Sequence, residues 1–152
     1  MSQENSTYIY PQLSLESLVI WGCDYTTVND NNWEVASTSA SFLNFYLETT
    51  TGSASQWVTY TTFLDAGTYD IGVVGVRGSA RGIMNLVIDG NSAGSADWYV
   101  SSTTSNAYAP FSSFTVYEPK IVTITACAVA KNAASTDERI AITYIVIHRT
   151  AI

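Results

Sequence analysis

The chain has 152 residues, 47% hydrophobic, 12% aromatic and only 12% charged, with a formal net charge of -7. This length suits one domain that buries about two thirds of its unfolded surface. The acidic balance excludes a nucleic-acid binder that works through many phosphate contacts. No basic amphipathic stretch and no apolar run of about 20 residues addresses a membrane.

Residues 1-12, polar and closing around Pro11, read as an N-terminal arm, and 13-152 as a single folded domain. The opening "MSQENSTYIYPQLSLESLVIW" lacks the positive and uninterrupted apolar regions of a secretory signal, so export by the general route is not expected and the "NST" sequon at Asn5 carries little meaning. A first strand is expected near "SLVIW" and another near "WEVAS"; only "SLESLVIWG" could pass for a helical turn. Between them "NDNN", Asn29 to Asn32, is either a turn or a set of hydroxyl-binding amides.

Alternation with period two then recurs. In "SFLNFYLE", Leu43, Phe45 and Leu47 face one way; in "QWVTYTTFL", Val58, Tyr60 and Leu64 oppose Trp57 and Phe63. After the turn "DAGT", "YDIGVVGV" sets Tyr69, Ile71 and Val73 on one face, and "IMNLVID" does the same with Met84, Leu86 and Ile88. These two strands are expected to form a hairpin closed by "VRGSARG". The Gly-rich "DGNSAGS" leads to "DWYV", and "SSTTSNAYAP" reads as a long polar loop. "FTVYEPKIVTITACAVA" is strand, Pro-containing turn, strand, and "RIAITYIVIHR" is the closing strand. The sum is an all-β chain: an antiparallel β-sandwich, a jelly roll of about nine or ten short strands.

Cys23 and Cys127 cannot make a disulfide framework and are expected as small buried side chains, with a single bridge as the alternative. His148 is the only histidine, which excludes a multi-histidine metal site and leaves a Ser-His-Asp arrangement without support. Asp65, Asp70, Asp89 and Asp97 suit turns better than glycosidic acid/base pairs. No cofactor is called for. Asp137 and Glu138 beside Arg139 form a charge cluster, and calcium is the one metal such loop carboxylates would suit. Trp21 and Trp57, inside strand patterns, are expected in the core, whereas Trp33 and Trp98 follow polar turns and are expected nearer a rim. Arg77 and Arg81, a positive spot in an acidic chain, are expected at the surface facing an acidic neighbour, a second copy of the chain included.

The order of motifs "QWVTYTTFLDAGTYDIGVVGV", "IMNLVIDGN" and the terminal "ITYIVIHRT" resembles the family 6 carbohydrate-binding modules and their galactose-binding-like relatives, over roughly Trp57 to Arg149. The resemblance implies a non-enzymatic sugar-binding sandwich in which loop aromatics stack on the ligand and an amide fixes its hydroxyls. Carried onto this sequence, it points to Trp33, Trp98, Tyr99, Tyr108 and Asn132, although Asn132 stands apart from the last strand by "AASTDER". The closing "AKNAASTDERIAITYIVIHRT" also looks like the end of bacteriophage and other viral appendage domains. Together these lead to an expected virion structural or appendage protein, a capsid-attached spike, decoration or tail-fibre head. It would assemble with other virion proteins and with copies of itself, a trimer among the options, and touch host-surface glycan. The alternative is a free carbohydrate-binding module or lectin, which would be secreted.

Overall fold

The computed structural model describes residues 17-37 and 45-152; the expected N-terminal arm and Leu43 lie outside the described residues. The described residues hold eleven strands and no helix: β1 (Ser17–Trp21), β2 (Thr27–Val28), β3 (Trp33–Ser37), β4 (Phe45–Thr49), β5 (Trp57–Leu64), β6 (Gly67–Arg77), β7 (Ile83–Ile88), β8 (Asn91–Asp97), β9 (Thr104–Val116), β10 (Lys120–Ala130) and β11 (Ala141–Ala151). A six-stranded sheet runs β3-β4-β11-β6-β9, with β1 also paired to β11, and a five-stranded sheet runs β2-β5-β10-β7-β8. Every pairing within the two sheets is antiparallel. The chain folds as the expected β-sandwich.

The alternating residues supply the inner faces as their period requires. Val58, Tyr60 and Leu64 from β5, Met84, Leu86 and Ile88 from β7, and Val122, Ile124 and Ala126 from β10 meet Tyr69, Ile71, Val73, Ile145 and Ile147 of the opposite sheet in one buried cluster. Each large aliphatic side chain so buried stabilises the fold by about 1.5–3 kcal/mol. Tyr60 satisfies its hydroxyl inside this core by donating to the Gly22 carbonyl at 3.0 Å.

Three expectations about connectivity are corrected. β6 and β7 belong to different sheets, so "VRGSARG" is a crossing between the layers and not the loop of a hairpin. The hairpin lies one step later, between β7 and β8, where Asp89 (φ 47°) and Gly90 (φ 82°) give the two positive-φ residues of a type I′ turn. The Gly-rich segment after that turn is therefore itself strand β8, with "DWYV" at its end. Most of the expected polar loop "SSTTSNAYAP" is the start of β9, hydrogen-bonded to β6; Thr104 and Asn106 are exposed on this strand, whereas the Ser105 hydroxyl is buried.

Candidate functional site

Strand pairing lines up four outward-facing side chains across the six-stranded sheet. Trp21 of β1 stands opposite Tyr144 of β11, Tyr144 opposite Val74 of β6, and Val74 opposite Tyr108 of β9. The next row is Val19, Val146, Gly72 and Pro110. Because neighbouring strands lie about 4.8 Å apart, the first row extends roughly 14 Å. Val19, Trp21, Val74, Asn106, Tyr108, Tyr144 and Val146 line a shallow depression of about 520 Å³ on this face.

The depression is aromatic and open. Trp21 is 42% and Tyr108 52% exposed. The Trp21 and Tyr144 rings meet edge to face, with centroids 5.5 Å apart and planes at 76°, which holds the indole in place. The Tyr108 ring packs on Gly72, where an added Cβ would run into it. Asn106, in the left-handed region at φ 56°, brings an amide to the same surface. Beyond the second row a polar one follows: Ser17 Oγ lies 2.9 Å from His148 Nδ1, and Ser113 Oγ donates to Asp70 Oδ1 at 2.6 Å. An apolar aromatic floor with amides and hydroxyls around it suits a ligand with one apolar and one hydroxylated side.

Among the residues expected to contact a ligand, Tyr108 alone lies on this face. Trp98 is a correction: it is 0% exposed. Its backbone N–H donates to Gly82 and its carbonyl accepts from Gly78, both at 3.1 Å, which draws the ring inward beneath the layer crossing. Tyr99 is half-buried and bridged to Gly78. Trp33 is half-buried against the core, and its Nε1–H donates to Asn29 Oδ1, which also accepts from the Trp57 backbone; "NDNN" is a turn. Asn132 spends its amide internally, donating to Asp97 Oδ2 at 2.7 Å and accepting from Ala134 N–H at 3.0 Å.

Trp21, expected in the core, faces outward instead, because Leu18 and Ile20 take the inward positions of β1. Trp57 is half-buried on the outer face of its sheet. Cys23 is exposed and Cys127 half-buried; both are free thiols, and burial raises the pKa of each above the ordinary value, with the Asp24 charge adding to the effect at Cys23.

The expected surface role of the two arginines is also corrected. Arg81 Nη1 lies 2.7 Å from Glu48 Oε2, and both side chains are only 11% exposed. The Arg77 guanidinium stands 5.5 Å from the centroid of the Trp98 ring. Both side chains thus serve the inside of the domain.

The Asp137 carboxylate is engaged within its own loop. Asp137 Oδ2 accepts from Arg139 Nε at 3.0 Å and its Oδ1 accepts from Glu138 N–H at 2.8 Å. Among the described residues no three His, Cys, Asp or Glu side chains converge as a ligand set. His148 Nδ1 lies against Ser17 Oγ, and the Asp70 carboxylate on the paired strand accepts from Ser113.

No protein-family model matches the sequence, and no curated protein is detectably similar to it. Solved structures are similar in fold. A xanthan lyase from Paenibacillus is 16% identical over 83% of this chain, with a TM-score of 0.72; the chain spans 12% of that enzyme. A family 35 carbohydrate-binding module from Clostridium thermocellum is 13% identical over 87% of this chain and 97% of its own, with a TM-score of 0.63. The chain shares its fold with both. A family 36 module in complex with calcium and xylotriose shares it at a TM-score of 0.51 and 15% identity, covering 87% of this chain and 95% of its own.

Proposed function

We propose that the chain is a non-catalytic carbohydrate-binding domain that holds a neutral glycan on the outer face of its six-stranded sheet. The observation that carries this reading is the in-register row of Trp21, Tyr144, Val74 and Tyr108, an apolar strip about as long as a short oligosaccharide. Pyranose rings present an apolar C–H face that stacks on such rings, while their equatorial hydroxyls reach Asn106 and the tyrosine hydroxyls. The similarity in fold to carbohydrate-binding modules supports the same reading. A glycan array on the isolated chain tests it: binding to oligosaccharides that vanishes in Trp21→Ala is expected, and an array without hits would overturn it.

Display of this surface on a virion, as an appendage in contact with other virion proteins and further copies of the chain, is the finer part of the proposal. Its support is the closing segment "AKNAASTDERIAITYIVIHRT". Arg77 and Arg81 no longer contribute to it. Light scattering separates the settings: a stable trimer favours the appendage, and a monomer that binds sugar favours a free, secreted module.

A further inference from the structure

Trp21 lines a second pocket as well. This one measures about 320 Å³ and is lined by Trp21, Cys23, Asp24, Phe45 and Thr143. It lies where β11 departs from regular pairing: Ile142 stands opposite Gly75 and Tyr144 opposite Val74, so Thr143 is an extra residue in its strand. Such bulges re-aim a side chain that regular alternation would direct elsewhere. The Thr143 carbonyl is used, accepting from Gly22 N–H at 2.8 Å. Its hydroxyl is not: Thr143 is 2% exposed and Oγ1 has no hydrogen-bond partner. A buried hydroxyl without a partner costs about 1–3 kcal/mol, which a ligand acceptor would offset.

The remaining walls specify that ligand. Phe45, the Trp21 ring and Cys23 give a largely apolar surface, with the Trp21 indole N–H and the Cys23 thiol as donors at its edge, and the Asp24 carboxylate accepts but does not donate. The pocket therefore offers an unpartnered donor at Thr143, a charged acceptor at Asp24 and an apolar surface. An amide with a methyl group matches all three, its carbonyl accepting from Thr143 and its N–H donating to Asp24 while the methyl packs on Phe45. A hydroxymethyl group would leave the apolar wall unfilled. A ligand carboxylate would be repelled by Asp24 in a chain of net charge -7.

We propose that this pocket takes the acetamido group of an N-acetylated hexosamine within a glycan laid on the aromatic row. The proposal rests on the glycan-binding reading above and names its substrate class.

Calorimetric titration with chitotriose and cellotriose tests it, because the two trisaccharides share a β-1,4-linked glucose backbone and differ in their acetamido groups. Chitotriose is expected to bind at least about tenfold more tightly. Thr143→Val should erase that preference, weakening chitotriose by about tenfold with cellotriose unchanged and the melting temperature equal or higher, since an unpaired hydroxyl is removed. Asp24→Ala, an exposed position that the fold tolerates, should weaken chitotriose alone. Equal affinity of the wild-type chain for both sugars overturns the acetamido assignment and leaves the glycan reading standing. A chitotriose preference that survives both substitutions overturns the assignment to this pocket. Failure to bind either trisaccharide, with array hits confined to glycans that lack N-acetyl groups, overturns the acetamido class; a blank array overturns both readings.

Discussion

The Tyr108 ring packs against Gly72, two positions whose strands β9 and β6 are paired, and a methyl group at residue 72 would overlap the ring at Cε2 and the hydroxyl at Oη. Glycine here is a seat for the aromatic that ends the outward row. Gly72→Ala should tip Tyr108 off the sheet and weaken glycan binding about fivefold to tenfold, equivalent to about 1–1.4 kcal/mol. Because the displaced ring sits at the surface, the melting temperature should move by only a few degrees. Titration and a thermal scan on the same sample check both parts.

Trp21 and Trp98 should separate binding from folding. Trp21→Ala removes an exposed platform and should abolish measurable glycan binding while the fold stays intact. Trp98→Ala opens a cavity beneath the layer crossing and should cost about 3–5 kcal/mol, a fall in melting temperature of roughly 6–20 °C. Thermal unfolding of the two variants side by side reads the difference.

The Arg81–Glu48 pair should behave as an internal contact. Glu48→Gln strands a largely buried guanidinium and should destabilise the chain by about 3–5 kcal/mol, whereas replacing both partners with apolar residues should come close to neutral. If the arginine instead served an interface, either change would alter the oligomeric state measured by light scattering and leave the stability of the isolated chain unmoved.

Asp89 adds an acid-sensitive contact at the β7–β8 turn. Burial works against its charge, but hydrogen bonds from Lys120 and from the Thr123 backbone outweigh it and hold its pKa below the ordinary carboxylate value. Its folded-state pKa is depressed, so its contribution is present above the unfolded pKa of about 3.9 and is lost as pH falls through the lower folded value. Asp89→Asn should flatten that part of the acid limb of a stability-against-pH curve without changing the neutral plateau's shape.

The inner faces were readable from alternation, because Val58 and Tyr60 alternate with outward Thr59 and Thr61, and Met84 and Leu86 flank outward Asn85. The layer change at "VRGSARG" was not readable, since period two says which face a residue takes but not which sheet its strand joins. The binding face was hidden by its own chemistry. In "SLVIW" both faces of the strand are apolar, so nothing in the pattern distinguished outward Val19 and Trp21 from inward Leu18 and Ile20. A strand apolar on both sides, in a sheet with one face open, was the available signal. Trp98 misled for the converse reason: the polar residues before it cap the backbone, with Asp97 Oδ1 accepting from Tyr99 N–H at 2.9 Å, while the indole turns into the core.

The most direct test of the glycan face is a heteronuclear NMR titration of the labelled chain with the best oligosaccharide from the array. The account predicts that shifts gather at the Trp21 indole, at Tyr144, Tyr108 and Asn106, and along β1, β6, β9 and β11. Shifts confined to the loops around Gly82, Tyr99 and Asn132, with the outward row unmoved, would contradict it.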